Sequence, residues 1–103
     1  MKISFSATVS VAATGITTLI TRGVPVGKTW TLLEIRLPTS VMTRAIVTML
    51  VKSAPRLQLV PSIYDNSYLI EDELTELTDF VFTLEKFDAT ATVIGLTILV
   101  DER

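Results

Sequence analysis

The chain of 103 residues contains no cysteine and no histidine. It therefore lacks the usual ligands of zinc, copper, haem and iron–sulfur sites. It also lacks the partners that Ser–His and Cys–His nucleophilic catalysis requires. Since no disulfide can form, packing or self-association must stabilise the fold. The sequence predicts no cofactor and no metal site of these kinds, and it favours a protein that is not an enzyme.

Clusters of basic residues and long apolar runs are also missing. Nine Lys and Arg against eleven Asp and Glu give a formal net charge of −2, whereas nonspecific nucleic-acid binding requires a positive field. No apolar run approaches the about 20 residues of a membrane-spanning helix. Near the N-terminus, Ser4 and Ser6 interrupt the apolar core that a signal peptide needs. We expect no nucleic-acid partner, no membrane partner and no signal peptide.

The chain is rich in aliphatic and β-branched residues. Hydrophobic residues make up 49% of it and aromatic residues only 7%, with a mean hydropathy of +0.52. Sixteen residues are Thr, and β-branched side chains favour strands. Gln58 and Asn66 are the single residues of their types, which hints at a thermostable protein, although a chain this short also reaches such counts by chance.

Alternation of apolar and polar residues with a period of two predicts seven or eight strands, separated by turn signals about every ten residues. The sequence thus predicts a single all-β domain spanning residues 1–103, an antiparallel β-sandwich or a small barrel. The pattern does not give the strand order, so jelly-roll and immunoglobulin-like topologies both remain open. A short helix is expected near 70–77, where Ile70, Leu74 and Leu77 follow helical spacing and acidic residues lie at the N-terminal end of the segment. The predicted strands are 3–11, 16–22, 29–37, 44–52, 57–60, 80–85 and 89–100, with a hairpin at 63–70 that turns at Asp65, Asn66 and Ser67.

The segment Val24–Leu37 is the most informative stretch. Pro25 suits the second position of a β-turn, and Gly27 can close that turn before a long strand. Strict alternation along this strand places Trp30 and Leu32 on the face that should be solvated. The strand 44–52 repeats the oddity, because Ile46 and Leu50 also fall on its polar face.

These four side chains, Trp30, Leu32, Ile46 and Leu50, are the predicted interface through which the chain forms a homo-oligomer. Two other interpretations remain open. Flanking loops can bury both faces of the sandwich, or a bulge can make the strand exchange its inward and outward faces.

A dense acidic segment is the second candidate site. Closely spaced carboxylates suit calcium, but the spacing lacks the glycine of an EF-hand loop, so a solvated loop or helix start is favoured. The cluster consists of Glu71, Asp72, Glu73, Glu76 and Asp79.

Aromatic side chains give an alternative function. Tyr64, Tyr68 and Trp30 would provide stacking surfaces for a carbohydrate or peptide, with residues 61–79 as the binding loop. This alternative describes a small binding module that remains a monomer.

Two short runs carry a resemblance to known proteins. The run Val24-Pro25-Val26-Gly27-Lys28-Thr29-Trp30-Thr31-Leu32 and the run Ala91–Ile98 resemble segments of small, jelly-roll-like virion proteins. The resemblance implies an antiparallel, jelly-roll-like β-sandwich that serves as a capsid, capsid-decorating or tail-associated subunit and works as a symmetric oligomer. We therefore expect a non-enzymatic homo-oligomer, such as a trimer, that binds a larger protein particle. The resemblance also implies a virion location, with the cytoplasm as the other expectation, and no catalytic residues.

Overall fold

The computed structural model describes residues 1–64 and 67–103. Within these ranges the chain folds into eight strands, and no helix is long and apolar enough to cross a membrane. The strands are β1 (Lys2–Val11), β2 (Gly15–Gly23), β3 (Trp30–Arg36), β4 (Ala45–Val51), β5 (Ala54–Leu59), β6 (Ser67–Leu74), β7 (Asp79–Lys86) and β8 (Thr92–Glu102).

The strands pair as a set of nested hairpins. β1 pairs with β8, β2 with β7, β3 with β6 and β4 with β5, always antiparallel. This long double ribbon is rolled up into two sheets, a first sheet of order β1-β8-β3-β6 and a second sheet of order β2-β7-β4-β5. Eight antiparallel strands wound in this way form a jelly roll, which confirms the predicted fold class.

The core lies between the two sheets, where alternate side chains of each strand meet. Ile94, Ile98 and Val100 of β8 face inward with no exposed surface, as do Phe80 and Phe82 of β7. Aromatic contacts continue across the core. The ring centroids of Phe5 and Trp30 are 5.2 Å apart, and those of Trp30 and Phe80 are 6.1 Å apart.

A β-bulge in β3 corrects the predicted faces of this strand. The register shifts between Leu32 and Glu34 against both neighbouring strands, and a bulge exchanges the two faces of a strand. Trp30 and Leu32 therefore point inward before the bulge, with exposures of 4% and 0%, and Ile35 points inward after it. The predicted solvent exposure of Trp30 and Leu32 is wrong.

The predicted helix near 70–77 is also wrong. Ser67–Leu74 forms β6, which pairs with β3 along the edge of the first sheet. Tyr68, Ile70 and Leu74 turn toward the core with the period of a strand, because pairing with β3 overrides a weak local helical preference. The predicted hairpin turn at Asp65–Ser67 includes Asp65 and Asn66, which lie outside the described residues.

Two turns and one close contact shape the connections between the strands. Pro25 occupies the first position of its turn rather than the second, with Lys28 N donating to Pro25 O at 3.2 Å and Gly27 at φ 77°. Lys52 and Ser53, both at positive φ, form the two-residue turn of the β4–β5 hairpin. Gly95 allows a close approach between β8 and the loop after β3, since a Cβ at this position would lie 3.3 Å from Pro38 Cγ.

Candidate assembly surfaces

Ile46 and Leu50, two of the four predicted interface residues, lie on the outer face of the second sheet. The residues that alternate with them, Ala45, Val47 and Met49, are buried in the core. Ile46 and Leu50 themselves are half-buried, because their sheet neighbours cover only their sides.

Cross-strand pairing arranges this outer face in three rows. We call these three rows the assembly face, and Glu85 is the charged side chain among them. The rows are Ile16, Glu85 and Ile46; Thr18, Thr83, Thr48 and Gln58; and Thr21, Val81, Leu50 and Pro55. The next row on the same side pairs Gly23 with the exposed Asp79, a second carboxylate. Aliphatic and threonine side chains thus dominate a surface that faces away from the core.

The sequence prediction missed two aliphatic residues of the assembly face, Ile16 and Val81. Ile16 is 72% exposed. Glu85 lies between Ile16 on β2 and Ile46 on β4 and pairs with both. Val81 lies directly opposite Leu50. Its alternation with Phe80 and Phe82 already placed Val81 outward, but only the strand pairing brings it beside Leu50.

Trp30 and Leu32 do not join this surface. Both lie in the first sheet, where they pair with Glu102 and Val100 of β8 and point into the core. The structure therefore divides the predicted set into two core residues and two surface residues.

A second apolar surface lies at the end of the sandwich where the β1–β2, β3–β4, β5–β6 and β7–β8 connections meet. We call it the apolar end. Its exposed apolar side chains are Val41, Met42, Val60, Ile63, Tyr64 and Phe87.

A buried ion pair orders two of the loops at the apolar end. Lys86 is 1% exposed, and its ammonium contacts the Asp88 carboxylate and donates to the Asp88 carbonyl oxygen at 2.8 Å. Thr43 Oγ1 and Arg44 N donate to the same carboxylate, each at 2.8 Å. The hydrogen bond from Lys86 has the largest effect, and together with these two donors it holds the pKa of Asp88 well below its usual range. The Asp88 carboxylate, which Lys86 holds in place, thus ties the β3–β4 loop to the β7–β8 loop through its hydrogen bonds with Thr43 and Arg44.

The acidic residues do not converge. Asp72 forms an ion pair with Arg56 at 2.6 Å, and Glu73 forms one with Arg103 at 3.1 Å. Glu76 instead accepts a hydrogen bond from Gly27 N. Across residues 1–64 and 67–103, no group of three or more Asp or Glu is arranged to hold a metal ion.

The aromatic residues of the alternative function are separated as well. Tyr64 is 71% exposed, whereas Tyr68 is half-buried and its hydroxyl donates to Val60 O at 2.8 Å. Trp30 is buried at the opposite end of the β3–β6 pair from Tyr68. Residues 67–74 of the predicted binding loop are a strand, so no common stacking surface forms from these three rings.

The fold and its surfaces define an eight-stranded jelly roll whose second sheet has an outer face dominated by aliphatic and threonine side chains. Among solved structures, the chain is similar in fold to a chain of the structure titled "Acidic stable capsid structure of Helicobacter pylori bacteriophage KHP30". The two share 16% sequence identity with a TM-score of 0.51, and the similarity covers 100% of this chain and 97% of the other. No protein-family model matches the sequence, and no curated protein matches it.

Proposed function

We propose that this chain is a non-enzymatic structural subunit of a virion and that it self-associates into a symmetric homo-oligomer. The observation that carries the proposal is the likeness in fold, over the full length of this chain, to a chain of a bacteriophage capsid structure. A decorating role, in which the oligomer binds a larger protein particle, belongs to the same proposal.

The assembly face supports self-association on physical grounds. Completing the burial of an aliphatic side chain contributes up to about 1.5–3 kcal/mol, and association costs on the order of 4–15 kcal/mol. Burying a few half-buried side chains does not offset this cost alone, so a stable interface must cover the rest of the broad outer face as well. The molecule extends 43 × 26 × 17 Å, so its broad side offers room for the about 800 Å² per partner that a stable interface buries.

The mass in solution tests self-association. Light scattering on a size-exclusion column, at several concentrations, should give a whole multiple of the 11.3 kDa subunit, such as a trimer. Leu50→Asp places a charge in the middle of the assembly face and should lower the mass while the chain stays folded. Leu77→Asp is the matched control, because Leu77 is 69% exposed outside this face. A monomer at all concentrations contradicts self-association, and an oligomer whose mass Leu50→Asp leaves unchanged contradicts the assembly face as its interface.

A further inference from the structure

Strand β1 forms an unprotected edge of the first sheet. It stands at the end of the strand order, and among the residues that the structure describes it pairs only with β8. Proteins usually protect such edges with charges, proline or bulges. From Ile3 to Val11 the strand contains no charged residue and no proline, and its register with β8 is unbroken.

The pairing with β8 shows which main-chain groups face the open edge. Met1 and Glu102 exchange both of their hydrogen bonds, at 2.8 and 2.7 Å. Hydrogen-bonded pairs alternate along an antiparallel ladder, so odd-numbered residues of β1 bond to β8. The N–H and C=O groups of the even-numbered residues therefore point away from the sheet. These residues are Ser4, Ser6, Thr8 and Ser10.

The inward side chains of β1 are incompletely covered. Ile3, Phe5, Ala7, Val9 and Val11 are all half-buried, while the neighbouring inward residues of β8 are buried. The guanidinium of Arg22 lies 5.1 Å from the centre of the Phe5 ring and still leaves Phe5 partly exposed. The edge thus offers free main-chain groups and apolar surface together.

We propose that β1 pairs antiparallel with β1 of a second copy, about a twofold axis at Ala7, and joins two first sheets into one continuous sheet. This inference deepens the proposed self-association and rests on it. A twofold contact joins subunits in pairs, so together with a trimer formed at the assembly face it would give a hexamer. In this register Ser4 faces Ser10 and Ser6 faces Thr8 on the outer side, while Phe5 faces Val9 and Ile3 faces Val11 on the inner side.

The occupant is a second copy because the strand is complementary to itself. The proposed register directs the even-numbered residues of both strands at each other and forms about eight main-chain hydrogen bonds, close to the about ten of a typical interface. Hydroxyls meet hydroxyls and apolar side chains meet apolar ones. The two Lys2 side chains, one from each copy, lie roughly 30 Å apart along the strands, so like charges do not meet.

A single cysteine tests the register, since the chain has no cysteine of its own. At the axis the two Ala7 residues form a non-hydrogen-bonded pair with Cα atoms about 4.5 Å apart, within the range that a disulfide spans. Ala7→Cys should give a disulfide-linked dimer under mild oxidation. Val9→Cys is the control, because the two copies of residue 9 lie about 13 Å apart. Absence of the Ala7→Cys dimer, or equal crosslinking of both variants, overturns the register.

Charge pairs separate this contact from the assembly face. With Ser6→Lys and Thr8→Lys together, Lys faces Lys across the axis, and light scattering should show the loss of one association step. With Ser6→Glu and Thr8→Lys, opposite charges face each other at the same two sites and association should return. If neither double variant changes the mass while Leu50→Asp lowers it, the β1 pairing is wrong and the proposed self-association stands. If none of these variants lowers the mass of an oligomer, neither the β1 pairing nor the assembly face is its interface.

Discussion

The indole Nε1–H of Trp30 donates a hydrogen bond to Glu102 Oε2 at 2.9 Å. The ring packs between Phe5 and Phe80, and the hydrogen bond satisfies its only polar atom. Trp30 is therefore a structural residue that joins β3 to β8 and to the core of the sandwich.

Trp30→Ala should reduce the free energy of unfolding by about 3–5 kcal/mol, as expected when a buried Trp is truncated. Leu50→Ala, at a half-buried site on the assembly face, should cost about 1 kcal/mol. Urea unfolding followed by circular dichroism measures both without relying on Trp fluorescence. Similar losses for the two variants would contradict the core position of Trp30.

Asp88→Asn should destabilise the fold more than Lys86→Met does. The first variant leaves the buried Lys86 ammonium without its counter-charge, whereas the second removes that ammonium and keeps an apolar chain of similar length. Thermal unfolding at neutral pH should therefore give the lower Tm for Asp88→Asn. The reverse order would mean that the Lys86 ammonium is not held by Asp88.

Acid should weaken the link between the two loops at the apolar end. The folded pKa of Asp88 is depressed, so the ionised carboxylate stabilises the fold fully above the unfolded pKa of about 3.9 and progressively less below it. The difference in Tm between the wild type and Asp88→Asn should shrink from about pH 5 to about pH 2. A difference that stays constant over this range would rule out Asp88 as its source.

Gly27→Ala should cost about 1 kcal/mol of stability. Gly27 has φ 77°, and nothing lies within 4 Å of a Cβ added there, so the loss reflects only the backbone conformation. Gly23→Ala is a useful comparison, because an added Cβ would meet only the end of the Asp79 side chain, which can move. Urea unfolding should show little change for Gly23→Ala, and an equal loss in both variants would argue against the backbone explanation.

The local pattern was enough to predict the fold class. β1 alternates without a break from Ile3 to Val11, and Phe80, Phe82 and Leu84 mark the inward face of β7 in the same way. A period of two survives in these strands because each has one face on the core. The order of strands in the sheets was not predictable, since pairing such as β1 with β8 joins residues far apart in the chain.

The same counting by two gave the correct orientation for two of the four predicted interface residues and the wrong orientation for the other two. Ile46 and Leu50 lie in a regular strand, so counting by two placed them on the outer face correctly. Trp30 and Leu32 precede a bulge, and a bulge is invisible to a pattern that assumes strict alternation. The helix predicted for 70–77 was wrong for another reason. The stretch with helical spacing is short, and pairing with β3 determines its conformation.

The nested strand order has a consequence for synthesis. β4 and β5 are adjacent in the chain and joined by two residues, so they can pair early. β1 cannot pair with β8 until the chain has been synthesised as far as Glu102. Non-local pairing of this kind slows folding, because loop-closure entropy is lost before contacts compensate for it. A ribosome-bound chain therefore carries β1 with both of its edges unpaired until β8 emerges, and this interval is when premature aggregation through that strand threatens most.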